Sequence, residues 1–244
     1  RMSLDRTLAI SLRIVNQIRG DHRSMALIVV APIIVMSLVG FSFADQKGVL
    51  DRVAPALMAV FAMFFTFILT GVSFLRERSQ GTLERLLTTP IGRGDILVGY
   101  LLGFLIFAAI QSVGILLFTI LALQVSYQGD LWQIFVLLMV LTVVAVNLGI
   151  FISTFARNEF QVVQFIPIIL APQIFLSGVI LPVEQMPGYF QAIARVLPLR
   201  YAVDGLRGIM LEGQGLGDVG MELAVLCTFA FILLSLAAMT VRRT

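Results

Sequence analysis

Histidine, lysine and cysteine each occur once in this 244-residue chain, and each scarcity removes a class of function. His22 has no histidine or cysteine companion with which to assemble a metal-ligand set. It reads as a solvated residue at headgroup level. Lys47 follows Gln46 rather than a glycine-rich turn, whereas a phosphate-binding P-loop needs its lysine directly after such a turn. The chain therefore supplies no ATP site of its own. Cys227 excludes an internal disulfide and lies inside an apolar stretch, where it reads as a small packing residue. A nucleophile beside a base and a paired acid and base are also missing.

Charge is scarce as well. Only 13% of the residues are charged against 59% hydrophobic, a balance that fits no soluble class. The apolar residues gather into six stretches, 24–44, 53–75, 96–125, 131–155, 160–181 and 220–241, with no charge in the central part of any. A hydrocarbon core about 30 Å thick needs roughly 20 helical residues, so the pattern predicts an all-α polytopic membrane protein with six transmembrane helices. The first stretch exceeds a signal-peptide core and is expected to be retained. With both ends placed in the cytoplasm, only Lys47, Arg52, Arg195, Arg200 and Arg207 of the 17 basic residues fall outside. That asymmetry predicts an inside amino terminus. The net charge of +3 thus reports topology, and a nucleic-acid partner is not expected because no dense basic run carries interleaved aromatics.

Ahead of the first stretch, Leu4, Leu8, Ser11, Leu12, Val15 and Ile18 recur at spacings of three and four, with Arg6 and Arg13 opposite. Residues 1–23 are predicted to form an amphipathic helix along the membrane surface, and Gly20 offers the turn into the bilayer. The connection 76–95, RERSQGTLERLLTTPIGRGDI when carried one residue further, holds the strongest signal. Gly81 and Thr82 can start a short helix, Glu84 suits its positive end, and Thr88, Thr89 and Pro90 stop it. Gly94 and Asp95 restart the chain as the cap of the third span. Leu83, Leu86 and Leu87 would then share one side as an exposed apolar ridge, which marks a docking surface.

The string ERSQGTLERLLTTPIGRGDILVGY resembles the intracellular loop of type-2 ATP-binding-cassette (ABC-2) exporter permeases. A second stretch, QIFLSGVILPVEQMP followed by RVLPLRYAVDGLRGIMLEG, is similar to that family's segment between spans five and six. The resemblance covers 1–244 as a single transmembrane domain. It implies that the short helix is a coupling helix and that Glu77, Gly81, Thr82, Leu83, Glu84, Arg85, Leu86, Leu87 and Pro90 contact a separate ATPase. It further implies two copies of that ATPase carrying ATP and Mg, a second permease chain (identical or related), and no cofactor on this chain. In residues 182–212 it implies short outer re-entrant helices, with Gly178, Pro182, Pro187, Pro198, Asp204 and Arg207 as structural positions. Asp204 and Arg207, three residues apart, are expected to pair locally.

Deep polar residues in the spans are uncharged, chiefly Gln111, Asn147 and Gln173. Ion-coupled carriers place titratable relays at such depths, so proton coupling is disfavoured. Asn147 is expected to bridge helices, and Gly99 with Gly103 forms a GxxxG that implies close packing. The phenylalanine- and methionine-rich spans favour an amphipathic drug-like molecule or lipid as cargo, with polysaccharide or glycolipid export as the family's alternative. A channel, an ion-coupled carrier or a membrane scaffold are the competing classes.

Overall fold

The computed structural model describes residues 4–43, 46–88 and 92–240, and the side chains of 22–25, 27, 28, 84, 87 and 93 lie outside that description. The described residues form ten α-helices and no strand: α1 Leu4–Gly20, α2 His22–Ser42, α3 Lys47–Ser79, α4 Thr82–Leu87, α5 Arg93–Leu117, α6 Leu131–Ser153, α7 Glu159–Leu176, α8 Gly188–Ala194, α9 Pro198–Glu212 and α10 Gly220–Thr240. A π-helical turn, Phe118–Ala122, extends α5, and a 3₁₀ turn, Val183–Gln185, precedes α8.

Five stretches are long and apolar enough to cross a membrane: Lys47–Ser79, Gly94–Ala122, Leu131–Ser153, Glu159–Leu176 and Gly220–Thr240. Helix α2 has a shorter apolar stretch among its described residues, Val29–Ser42. Because a bilayer core takes only about 20 helical residues, the 33 residues of α3 carry its last turns, with Arg76, Glu77 and Arg78, beyond the apolar layer.

Helices α3 and α6 form the centre. They cross where two glycines meet: a Cβ on Gly149 would lie 3.1 Å from the Gly71 nitrogen and from the Phe67 carbonyl oxygen. Backbones this close leave no room for a side chain, so the crossing is fixed by the glycines. The largest apolar cluster joins α3, α6 and α9 through residues such as Met58, Phe67, Leu137, Leu141, Val203 and Leu206, all buried. Asn147 donates from Nδ2 to the Ala230 carbonyl oxygen at 2.9 Å, tying α6 to α10. Gln111 donates weakly to the Phe61 and Ala62 carbonyl oxygens at 3.3 and 3.4 Å, tying α5 to α3. Gln173 reaches only the Ile169 carbonyl oxygen of its own helix, at 3.4 Å. In α7, Pro167 and Pro172 sit inside the helix, where each removes a backbone donor.

A second cluster fastens α1 and α4 to α5. Gly99 and Gly103 make the seat for α1, since a Cβ at either would fall 2.7 and 2.9 Å from the side chains of Ile10 and Ile14 respectively. The expected face of α1 is thereby corrected. Thr7, Ile10, Ser11, Ile14 and Ile18 point into the protein, whereas Leu4, Leu8 and Leu12 are exposed and Arg13 turns inward. The helix carries two apolar stripes, and the sequence reading merged parts of both.

Candidate functional site

At the end of α3 the chain reads Arg76, Glu77, Arg78, and each of these consecutive side chains holds a different part of the bundle. Helical geometry explains the divergence, because successive residues point about 100° apart. Glu77 is 2% exposed. Its Oε2 accepts from Arg13 of α1 at 2.6 Å and from the Tyr100 hydroxyl of α5 at 2.9 Å. Tyr100 is itself fully buried and stacks edge-on against Phe74 with ring centroids 5.2 Å apart. Burial opposes the charge of Arg13, but the hydrogen bond and charge of Glu77 outweigh it and raise the guanidinium above its ordinary pKa.

Arg76 turns the other way, donating from Nε to Glu159 Oε1 at 3.0 Å and from a terminal nitrogen to Oε2 at 3.3 Å, with a further bond to Asp21 at 3.3 Å. It thus joins α3 to the start of α7 and to the α1–α2 junction. Arg78 caps the end of α6: its guanidinium donates to the carbonyl oxygens of Ser153, Thr154 and Ala156 at 3.2, 2.8 and 2.8 Å. The Ser153 carbonyl also accepts from the Ala156 amide at 3.3 Å, but carbonyls at a helix terminus lack their full intrahelical partners, and a cation there also meets the negative end of the dipole.

Helix α4 follows at once. Gly81 takes φ +69°, a left-handed conformation open to glycine, and its carbonyl accepts from the Arg85 amide at 3.1 Å to begin the helix at Thr82. The helix ends at Leu87, and Thr88 Oγ1 returns to the Arg85 carbonyl at 2.8 Å. Leu83 is 3% exposed and belongs to the α1–α5 cluster, with Leu86 partly buried against it. Arg85 is exposed. Two expectations are therefore corrected. Leu83 is buried within this chain rather than part of an exposed ridge, because it joins the apolar cluster built from α1, α3, α5 and α6. Glu77 is spoken for by Arg13 and Tyr100 and has no surface with which to meet another protein. The Glu84 and Leu87 side chains and Pro90 lie outside the described residues.

The restart of the chain is also pinned. Asp95, fully buried, accepts from the Gly92 amide at 3.2 Å as a helix cap and from Thr7 Oγ1 at 3.3 Å. Both sides of the 76–95 connection are thus tied to α1, once through Glu77 and once through Asp95.

At the opposite end, Asp204 pairs with Arg200 at 3.5 Å, one turn earlier, and not with Arg207 as expected. Arg207 instead donates to the Gly178 carbonyl oxygen at 2.9 Å, where Gly178 has φ +80°, and so braces the exit from α7. Burial raises the Asp204 pKa against the lowering influence of Arg200, and burial lowers that of Arg207. Pro182 and Pro187 cap the 3₁₀ turn and α8, while Pro198 opens α9, positions where a missing amide costs nothing.

The sequence reading found the connection but missed Arg13, Tyr100, Arg76 and Arg78. The signal available was the run of three charges at a span's end, too close together to share one face.

A family profile described as ABC-2 type transporter matches residues 6–211. The chain belongs to that family. It is similar to nodulation protein J of Rhizobium meliloti, 29% identical over 87% of this chain and 83% of that protein. It is also similar to the probable multidrug ABC transporter permease YbhR of Escherichia coli, 31% identical over 68% of this chain, and to ABC transporter G family member 20 of Dictyostelium discoideum, 28% identical over 75%. The aligned parts make up 45% and 25% of those two proteins. The chain is a multi-pass membrane protein of the ABC-2 type transporter family.

Proposed function

We propose that this ABC-2 permease is the membrane half of an ATP-driven exporter that works as a pair of permease chains with two cytoplasmic ATPase chains. The carrying observation is α4: a six-residue helix, set off by a left-handed glycine, lying between two long apolar helices and tied to them on one side with Arg85 free on the other. ATP and Mg would bind on the partner, whose closure would push on α4. Helix α2 would complete a six-span layout with both termini and the 76–95 connection in the cytoplasm, which the basic-residue asymmetry favours. Leu4, Leu8 and Leu12 of α1 would rest in the inner headgroup boundary. The exposed Tyr189, Phe190 and Ile193 of α8 would do the same outside.

The cargo reading rests on the phenylalanine- and methionine-rich spans and on the relatives named as multidrug permeases: an amphipathic drug-like molecule or a lipid. Polysaccharide or glycolipid export is the alternative. The test is a cysteine in place of Arg85, cross-linked in native membranes. The expected result is a covalent product with an ABC ATPase and labelling from the cytoplasmic side alone. A cysteine at Gln191 should label from outside alone, and the reverse pattern would overturn the orientation.

A further inference from the structure

The three side chains at the end of α3 divide the bundle's attachments in a way that bears on how movement of α4 would spread. Glu77 and Tyr100 are buried, so the junction of α1, α3 and α5 holds a carboxylate shielded from water whose Oε2 accepts from both Arg13 and Tyr100. The Arg76 pairs are different, with side chains of Arg76, Asp21 and Glu159 exposed by 38, 33 and 53%. A buried charge that loses its partner is strongly unfavourable, whereas an exposed pair exchanges with water at little cost. The loop itself is anchored on both flanks to α1, through Glu77 before α4 and Asp95 after it.

We propose that Glu77, paired with Arg13 and Tyr100, is a positioning residue that makes α1, α3, α4 and α5 move as one body, so that displacement of α4 reaches the far ends of the spans. This rests on the exporter reading above. It replaces an ATPase contact at Glu77 with an internal one. Arg78 carries the same displacement to the end of α6 through three carbonyls, while the partly exposed Arg76–Glu159 pair lets α7 shift relative to α3.

The order of damage among variants follows from burial. Arg13→Gln leaves the Glu77 carboxylate buried without a cation. Glu77→Gln leaves only Arg13, which is 34% exposed and can turn to water. Adding Glu77→Gln to Arg13→Gln removes both charges and relieves the first fault.

The permease is purified with its ATPase in a Cys227→Ser background carrying a single environment-sensitive fluorophore at Ser126→Cys. That site is exposed in the connection between α5 and α6, remote from α4. The readout is the fluorescence change on trapping the complex with ATP and vanadate. The wild type should show a change, Arg13→Gln should reduce it at least fivefold, Glu77→Gln should reduce it less, and the double variant should recover at least half, with the ATPase co-purifying throughout. A full signal in both single variants, or a double variant worse than Arg13→Gln, overturns the internal junction. Loss of the ATPase from Glu77→Gln also overturns it, because that result makes Glu77 a partner contact. If no ATPase accompanies the wild type, the exporter reading fails and this proposal falls with it.

Discussion

Glycine at position 81 illustrates what single residues contribute. A Cβ there would meet nothing within 4 Å, so the only objection to a side chain is the backbone angle of +69°. Asparagine visits that region with modest cost and valine does not. Gly81→Asn should therefore leave thermal stability of the detergent-solubilised protein nearly unchanged. Gly81→Val should destabilise the α3–α4 turn by about 1–3 kcal/mol, seen as faster amide exchange in α4. Gly99 is the converse case, with an ordinary backbone and no space. Gly99→Leu must displace Ile10, and overpacking of this kind costs typically 1–3 kcal/mol. Its signature is loss of amide protection in α1 with α6 unaffected, and equal protection in both helices would contradict the seat assigned to α1.

Position 99 was half legible. The GxxxG spacing announced a close approach, but nothing local said that the approaching element was α1, some 90 residues earlier. Glu77 was less legible still. A charged residue just past an apolar span looks like a solvated flank, and the partner that buries it, Arg13, is 64 positions away. Its place in the family's loop pattern invited a partner contact, and tertiary burial decided otherwise.

Among the elements, α4 shows where pattern and packing part company. Its bounds could be anticipated from Gly81 at one end and Thr88 to Pro90 at the other, because start and stop signals are local. Which side faced the protein could not, since a six-residue helix has too few apolar positions to define a stripe. Leu83 turned inward to join Ile10, Ile96 and Tyr100. Full burial of a leucine is worth roughly 1.5–3 kcal/mol, so Leu83→Asp should detach α4, and protease cleavage within residues 82–88 is the measurement. Arg85→Glu, at the exposed position, should leave cleavage unchanged and weaken ATPase capture at least tenfold. Equal cleavage of both variants would put Arg85 inside the fold. Arg78→Ala tests the end of α6 in the same manner. It removes three charge-assisted bonds to carbonyls, each worth about 1.5–3 kcal/mol at most, and should raise amide exchange in residues 150–158 ahead of α3.

At the scale of the whole molecule, helices α3 and α6 are mostly enclosed while α7 and α10 are not, with 72 and 67% of their apolar windows buried against 22 and 17%. One chain therefore encloses a dense centre and leaves two long apolar helices uncovered by protein. This is the arrangement expected when lipid and a second permease chain complete the structure. The helices themselves were legible from composition, because apolar runs free of charge admit few alternatives in a bilayer. The six predicted stretches fall on α2, α3, α5, α6, α7 and α10, but five of these are long and apolar enough to span, with α2 carrying only the shorter run Val29–Ser42 among its described residues. The measurement that bears most directly on the exporter assignment is native mass spectrometry of the complex captured from its own membranes on a tagged permease chain. The account predicts two permease chains with two ABC ATPase chains, falling apart into permease alone when Arg85→Glu is introduced. An active species with one permease chain, or a permease that travels with no ATPase, would contradict it.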